Sequence, residues 1–168
     1  MLNKKLAEEL NKQINIELQA AYLYFSMSIW FDFKSLDGFA HWMELQAQEE
    51  VAHGTKIYNY LSDLDFKVTL LPIEKPEAEF KSPQDAFQMA LKNEKDLMEH
   101  LNALSKLAME KGDNTTYTFL EWFLTEQVEE ISLCSTMLDK LKLIGDNGYG
   151  ILMLNSEMAA RTSSAEQG

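Results

Sequence analysis

The sequence predicts an all-α protein: a four-helix bundle with one long crossover between helices two and three, plus a short C-terminal fifth helix. Apolar residues recur at helical rather than alternating spacing along nearly the whole chain. Three prolines and seven glycines divide that pattern into long segments. The connections between the four main segments are short, long and short in turn, which is typical of a one-crossover bundle.

The first helix is predicted over about residues 3–33 and the second over about 36–64, with the short link "FKSL" between them. The third begins at "SPQD", where Ser82 suits the N-cap, Pro83 the first helical position and Asp85 the positive end of the helix dipole. It ends near residue 112, and the fourth follows over about 114–144. The short links make each pair of helices an antiparallel hairpin.

The long connection is "DFKVTLLPIEKPEAEFKS". At roughly 3.3 Å per extended residue it can travel the full length of the bundle, so helices two and three are expected to be parallel. The stretch "VTLLPI" could instead form a strand, but it has no obvious partner. We therefore expect this segment to pack along the outside of the bundle.

A glycine-rich turn after the bundle, which spans about 3–144, introduces a short fifth helix over about 148–160. Its apolar "ILML" suits an interface with another subunit, or alternatively docking against its own bundle. The tail, about 162–168, is expected to fray. A chain of 168 residues is long enough for one domain with a substantial core and too short to suggest two.

The chain is acidic, with 15 Lys and Arg against 27 Asp and Glu and a formal charge of -12. Nucleic acid and anionic membrane surfaces are therefore disfavoured as partners, and cations are favoured. A single cysteine, Cys134, rules out an intrachain disulfide framework and a CxxC metal site. No run of about 18 apolar residues and no signal-like start is found, so a cytoplasmic protein is expected.

Polar residues interrupt the apolar stripe of each long helix near its midpoint. These residues are Glu17, Gln46, Glu50, His53, Glu94, Gln127 and Glu130. Their spacing repeats, because Glu17 and Glu94 are 77 positions apart, as are Glu50 and Gln127. Two helical hairpins of one design would bring such positions to a common level in the bundle.

Burying several carboxylates together costs several kcal/mol per unpaired charge, so a positive charge must offset it. The stripes hold no Lys or Arg, which leaves either protons or bound metal ions. Glu50 and His53, at i and i+3, share one helix face and can bind one ion. Carboxylate and amide oxygens with one imidazole favour iron or manganese over a thiolate-type zinc site.

Other residues near the stripes are open to two interpretations. Glu49, Glu126 and Glu129 lie just beside the stripes and form either solvated surface or a second cation site shared with Glu130. Tyr24 is either a core aromatic or a redox or supporting residue beside the centre. The remaining candidates are interpreted as packing residues, Trp122 and Cys134, or as incidental histidines, His41 and His100.

With these residues in place, the sequence resembles the bacterial non-haem ferritins over nearly its whole length. The matching elements are Glu17 with Tyr24 seven residues later, "EEVAH" at 49–53, Glu94, and "EQVEE" at 126–130. Two relatives fit less well. Haem-containing bacterioferritins have a second Glu-x-x-His and a haem-ligating methionine, where this chain has Gln127-x-x-Glu130 and Val51, so no haem is expected. Rubrerythrin-like peroxidases need paired CxxC motifs.

The resemblance implies roles for individual residues. The positions matching Glu17, Glu50 and His53 hold the first iron, with Glu50 bridging to the second. The positions matching Glu94, Gln127 and Glu130 surround the second iron. A third iron site typical of the bacterial branch matches Glu49, Glu126, Glu129 and Glu130, and Tyr24 matches the tyrosine beside the di-iron centre.

The implied function is an iron-storage ferritin with ferroxidase activity. Two Fe(II) ions would be oxidised by O2 or H2O2 and stored as ferric mineral in a hollow 24-subunit shell whose four-fold axis the fifth helix lines. The alternatives are a di-iron oxygenase or peroxidase with an external reductant, and a silent structural subunit. Large apolar residues beside the centre argue against the first alternative, and the presence of the principal ligands argues against the second.

Overall fold

A computed structural model of the chain describes residues 3–163, and this range contains five helices. They are α1 (Lys4–Phe33), α2 (Asp37–Asp63), α3 (Pro83–Glu110), α4 (Asn114–Ile144) and α5 (Gly148–Ala159). No strand occurs within this range, which confirms the all-α prediction and leaves the strand alternative for "VTLLPI" wrong. Residues 164–168 of the predicted frayed tail lie outside the described residues.

The helix ends follow from local chemistry. The Ser82 hydroxyl accepts a hydrogen bond from the Asp85 amide at 3.1 Å, and Pro83 occupies the first helical position. Asp113 caps α4 by accepting from the Thr116 amide at 3.0 Å. Gly145 ends α4 with a φ of 56°, a left-handed backbone that glycine adopts without strain.

The long connection runs along α1 and is held there by polar side chains of that helix. Asn11 exchanges two hydrogen bonds with the backbone of Thr69, and Gln19 does the same with Glu74. Further along α1, the Ser26 hydroxyl donates to the Glu77 carbonyl. The connection therefore travels from the start of α1 towards its end, so α2 and α3 are parallel, as predicted.

Two apolar clusters fill the bundle on either side of a central polar layer. Along α1, for example, one cluster takes residues 6–14 and the other takes Tyr24 to Phe31. Near the end of α2, Leu61 is buried and Tyr60 is half-buried, whereas Leu64, just after the helix, is 40% exposed.

Helix α5 docks against the start of α2 through Leu154 and Met158, which are buried in one of the apolar clusters. The Asn155 side chain accepts hydrogen bonds from the amides of Gly38 and Phe39, at 2.9 and 3.1 Å. A Cβ at Gly38 would lie 1.8 Å from the backbone carbonyl oxygen of Asn155, so this close contact requires glycine. The opposite face of α5 exposes Tyr149, Leu152 and Met153.

None of the helices within residues 3–163 is long and apolar enough to cross a membrane.

Candidate metal centre

The polar layer lies at mid-height of the bundle and receives side chains from all four long helices. All seven predicted stripe residues are buried: Glu17, Gln46, Glu50, His53, Glu94, Gln127 and Glu130. The structure therefore brings together in space the residues that the sequence spaced at regular intervals. The common level follows from the antiparallel pairing of α1 with α2 and of α3 with α4.

The first group of potential ligands consists of Glu17, Glu50 and His53. One ligand atom from each lies within 4.8 Å of the others. The Nδ1 atom of His53 is 3.2 Å from Oε2 of Glu50, which places both on one face of α2 as the i, i+3 spacing predicts. This group belongs entirely to the hairpin of α1 and α2.

Glu17 has one oxygen satisfied and one free. Its Oε1 accepts a hydrogen bond from the Gln13 amide at 2.8 Å, one turn earlier on α1. Its Oε2 is buried and has no hydrogen-bond partner among residues 3–163. An unsatisfied buried carboxylate oxygen is costly, and a cation bound beside Glu50 and His53 would satisfy it.

On the other hairpin, Glu94 is held by two neighbours. The Gln127 amide donates to its Oε2 at 2.5 Å and to its backbone carbonyl at 3.0 Å, and the Tyr24 hydroxyl donates to its Oε1. Tyr24 is fully buried and also lies 3.7 Å from the Cys134 sulfur. Tyr24 therefore contacts a proposed ligand directly and is more than a packing residue, whereas Cys134 lies in the core as expected.

A second group of potential ligands contains His53, Glu126 and Glu130, again with ligand atoms within 4.8 Å of one another. Glu94 belongs to neither group in the described chain, since its oxygens are turned to Tyr24 and Gln127. Gln46 connects the two groups, because its amide donates to Oε2 of Glu130 at 2.5 Å and lies 3.5 Å from Oε1 of Glu50. His53 is common to both groups.

The carboxylates of the centre share raised pKa values. Burial raises the pKa of Glu17 well above its ordinary value, and the nearby charge of Glu50 adds to this. Burial also raises the pKa of Glu50 and of Glu94. It raises that of Glu130 to about 7, with Glu94 adding to the effect. In the absence of metal these carboxylates are therefore harder to ionise than ordinary glutamates.

The outer carboxylates Glu49, Glu126 and Glu129 border a cavity of about 500 Å³ that opens beside Glu130. Glu126 and Glu49 are half-buried, and Glu129 is exposed. The structure thus places these predicted residues around one open space, with Glu126 reaching the buried His53. The open side of the cavity gives cations a route from solvent to the edge of the centre.

One residue of this region was not predicted. Arg161, just after α5, donates a hydrogen bond to Oε2 of Glu49 at 2.9 Å and to Oε1 of Gln46 at 3.0 Å. No sequence pattern indicates this contact, because "AAR" lies outside every apolar stripe and reaches the centre only through the docking of α5. The supporting role of Gln13 was missed too, although its spacing of four residues from Glu17 could have indicated it.

Trp122 touches the centre from the outside. Its ring meets the His53 ring edge-on at 5.6 Å between centroids, and the Lys56 ammonium lies 3.8 Å over its face. It was expected to be a packing residue, and it packs directly against a potential metal ligand. His41 is not without contacts either, since its Nε2 lies 2.8 Å from the Arg161 carbonyl oxygen.

The donor set determines what this centre can bind. Its members are carboxylates, an amide and one imidazole, all fixed by rigid helices and hydrogen bonds. Such hard oxygen ligands with a single nitrogen suit divalent iron or manganese. Since two groups share His53 and are linked by Gln46, the arrangement can hold more than one ion a few ångströms apart.

Comparisons with known proteins give one consistent result. A family model described as Ferritin-like domain matches residues 7–144. A bacterial non-heme ferritin of Staphylococcus epidermidis is 41% identical and covers 96% of this chain and 98% of its own length. Another from Staphylococcus saprophyticus is 40% identical, covering 96% of this chain and 97% of its own. An open pore ferritin of Archaeoglobus fulgidus superimposes with a TM-score of 0.95 at 38% identity, covering 96% of this chain and all of its own.

Proposed function

The chain belongs to the ferritin family and is an iron-storage ferritin, and from this premise we propose that its buried centre is a ferroxidase. Fe(II) is the substrate, O2 or H2O2 the oxidant and Fe(III) the product, which is stored as ferric oxide mineral. In this proposal Glu17, Glu50 and His53 bind the first iron. Glu94, Gln127 and Glu130 lie around the second.

The observation that carries the proposal is the free oxygen of Glu17. It is buried beside Glu50 and His53 without a hydrogen-bond partner in the described chain, so the folded protein maintains a costly position that a cation stabilises. The raised pKa values support the same proposal. Groups held at such cost in a rigid site are more often functional than structural.

The roles of the chain's own residues follow from their surroundings. Two Fe(II) ions supply two electrons, which reduce O2 to the level of peroxide or H2O2 to water. Glu50 belongs to the first group and shares the Gln46 amide with Glu130 of the second, so it is the carboxylate that would bridge the two metal positions. When the irons bind, protons held by the carboxylates are released, and the negative charge that remains favours Fe(III) over Fe(II). Gln127 keeps the second position less anionic than a glutamate would.

Glu49, Glu126 and Glu129, together with Glu130, form the proposed third iron site at the wall of the open cavity. Their position between solvent and the buried groups suits a site that passes iron, or its electrons, to the centre. Tyr24 donates to Glu94, so this carboxylate would exchange a hydrogen bond for the second iron, and an oxidisable phenol lies beside it.

A di-iron oxygenase or peroxidase would need a chamber for an organic substrate beside the irons. The cavity next to Glu130 has an apolar side, with Leu133, Met137 and Met158, but five glutamates and Arg161 also line it. Those charges suit a cation better than a small apolar substrate. This observation favours the ferroxidase.

We also propose a homo-oligomer, a 24-subunit shell of single-domain chains that works in the cytoplasm. Family membership supports the oligomer, since solved ferritins with TM-scores of 0.95 and above cover almost the whole chain. The exposed apolar face of α5, with Leu152 and Met153, suits a contact between subunits. The formal charge of -12 suits a shell that gathers cations.

The test mixes metal-free protein with Fe(II) in air, from below one to a large excess of irons per subunit. Ferric absorbance and soluble protein-bound iron are both followed. We expect fast oxidation up to about two irons per subunit, followed by growth of a large soluble iron core. Oxidation that stops at the di-iron stage would favour the oxygenase, and no acceleration over buffer would favour the silent subunit.

The variant Glu50→Ala should abolish the fast phase while the shell still assembles, because it removes the carboxylate between the two metal positions. Glu99→Ala, an exposed glutamate on α3, is the matched control and should oxidise iron like the wild type. Unchanged oxidation in Glu50→Ala would contradict the assignment. Assembly is checked by size-exclusion chromatography with light scattering.

A further inference from the structure

The guanidinium of Arg161 is built into the wall of the acidic cavity. It donates to the Glu49 carboxylate at 2.9 Å, to the Gln46 amide oxygen at 3.0 Å and to the Trp42 carbonyl at 3.2 Å. It also lies over the Trp42 ring, 4.4 Å from the centroid. The side chains of Arg161 and Glu49 are each only 16% exposed. An ion pair so sheltered from water is stronger than a surface pair.

Through Gln46 this cation is connected to both groups of ligands. The amide oxygen of Gln46 faces Arg161, so its Nε2 is turned towards Glu130, at 2.5 Å, and towards Glu50, at 3.5 Å. The contacts with the two carboxylates require this orientation of the amide, and the hydrogen bond from Arg161 to the amide oxygen stabilises the same orientation. Arg161 therefore positions a donor on Glu130 without touching the inner site.

The position of Arg161 depends on α5. Its carbonyl oxygen lies 2.8 Å from Nε2 of His41 on α2, and Asn155 ties α5 to the first residues of the same helix. The backbone that carries the guanidinium is thus anchored both at Arg161 itself and through α5. A cation approaching Glu49 meets a fixed positive charge rather than a freely moving side chain.

We propose that Arg161 is a resident counter-cation of the outer carboxylates, which a divalent metal ion must displace from Glu49 in order to bind there. This inference rests on the proposed function, because it concerns the third metal position of that centre. It makes Arg161 a positioning residue that lowers the affinity of the third position. Filling that position then releases Arg161 and, with it, the contact between Gln46 and the segment after α5.

Zinc binding to the metal-free assembled protein tests this without iron oxidation, since Zn²⁺ has no redox chemistry. Isothermal titration calorimetry would compare wild type, Arg161→Gln and Arg161→Lys. We expect the third Zn²⁺ to bind about tenfold more tightly in Arg161→Gln, or about 1.4 kcal/mol. Arg161→Lys keeps the charge but loses the forked hydrogen bonds, so its affinity for the third Zn²⁺ should lie between those of wild type and Arg161→Gln.

Lys92→Gln is the matched control. It removes one positive charge and an ion pair with Asp96 on α3, a helix that contributes no residue to the lining of the cavity. It should bind the third Zn²⁺ like the wild type. Glu49→Gln should abolish the third event in both the wild-type and the Arg161→Gln protein. Equal or weaker third-site binding in Arg161→Gln, or no third event in either protein, would overturn the inference.

A second measurement does not depend on any change at Arg161. Because the guanidinium covers Trp42, its release should change the emission of that tryptophan when the third Zn²⁺ binds. The measurement uses a Trp122→Phe background, which removes the indole that contacts His53. The signal should vanish in Trp42→Phe, and constant Trp42 emission while the third position fills would overturn the inference.

The calorimetry also separates the two proposals. If the first two Zn²⁺ bind and the third is insensitive to Arg161→Gln, only the role of Arg161 fails. If no Zn²⁺ binds at the inner groups, the proposed ferroxidase centre fails, and the inference fails with it.

Discussion

Glu17 shares the electrostatic cost of the metal-free centre with Glu50. It is 1% exposed, its carboxylate lies beside that of Glu50, and its Oε2 has no partner within residues 3–163. Gln13 holds the other oxygen in place. The side chain is thus pre-organised for a cation before one arrives, and the cost of this arrangement falls on the stability of the metal-free protein.

Glu17→Gln should therefore separate stability from function. An amide of the same shape carries no charge to desolvate, so the metal-free variant should unfold at the same or a higher temperature than wild type at pH 8. It should lose the first Zn²⁺ binding event and the fast iron oxidation. Thermal unfolding with and without Zn²⁺ measures both effects, and a metal-free variant that melts well below wild type would contradict this account.

The raised pKa values also predict how stability depends on pH. Glu130 ionises at about 7 in the folded protein, against 4.5 ordinarily, so between these values the folded state holds a proton that the unfolded state has lost. The stability that this group contributes is present below about 4.5 and is lost as the pH rises through about 7. The pKa values of Glu17 and Glu50 shift in the same direction.

We expect the melting temperature of the metal-free protein to be lower at pH 8 than at pH 6 by at least about 3 °C, which corresponds to about 1 kcal/mol for a chain of this size. Glu130→Gln should reduce that difference. Zn²⁺ should reverse the trend, because fewer protons compete for the ligands at pH 8. A melting temperature that rises with pH in the metal-free protein would show that these carboxylates are already ionised at pH 6.

For single residues, the sequence predicted well which side chains of the centre are buried, because periodicity determines which face of a helix a residue occupies. It did not predict contacts between segments far apart in the chain. Arg161 is the main case, since it lies 112 positions from Glu49. No local pattern records that distance, and only the docking of α5 brings the two together.

The helices themselves were predicted to within a few residues, because their ends carry recognisable caps. Ser82, Pro83 and Gly145 each act as their chemistry suggests. The start of α2 is different, because its N-cap residue, Leu36, offers no side-chain acceptor. Asn155 of α5 supplies that acceptor from a distance, which sequence spacing alone could not reveal.

Asn155→Ala should therefore weaken the start of α2 more than α5 itself. Loss of a helix cap costs about 1 kcal/mol, and here the amides of Gly38 and Phe39 lose their acceptor. We expect about fivefold faster hydrogen exchange at those two amides, measured by mass spectrometry of overlapping peptides. Asn102→Ala, at an exposed position of α3, is the control. Equal exchange in both variants would show that α5 does not cap α2.

At the scale of the whole molecule, an apolar groove of about 400 Å³ remains open between α1, α2 and the long connection. Its lining includes Tyr22, Phe25, Val51 and Ile73, all at least 41% exposed. Exposed apolar surface of this kind marks a contact with another protein. In a family of assembling subunits, a second copy of this chain is the occupant we expect.

Phe25→Glu should disrupt that contact by placing a charge in the groove. Light scattering after size-exclusion chromatography should show smaller species than the wild-type assembly, with helical content unchanged by circular dichroism. Met109→Glu replaces an apolar residue that is 58% exposed near the end of α3, outside the groove, and serves as the control. A Phe25→Glu protein of wild-type size would exclude this groove as an interface.

The division of the proposed ligands between the two hairpins has a consequence for biosynthesis. Glu17, Glu50 and His53 all come from the hairpin of α1 and α2, which leaves the ribosome before that of α3 and α4. A hairpin forms through contacts near in sequence, which assemble early. Iron binding to this hairpin would favour docking of the second one, which brings further carboxylates. Iron supply would then influence how quickly the nascent chain matures, and not only how much metal the finished protein holds.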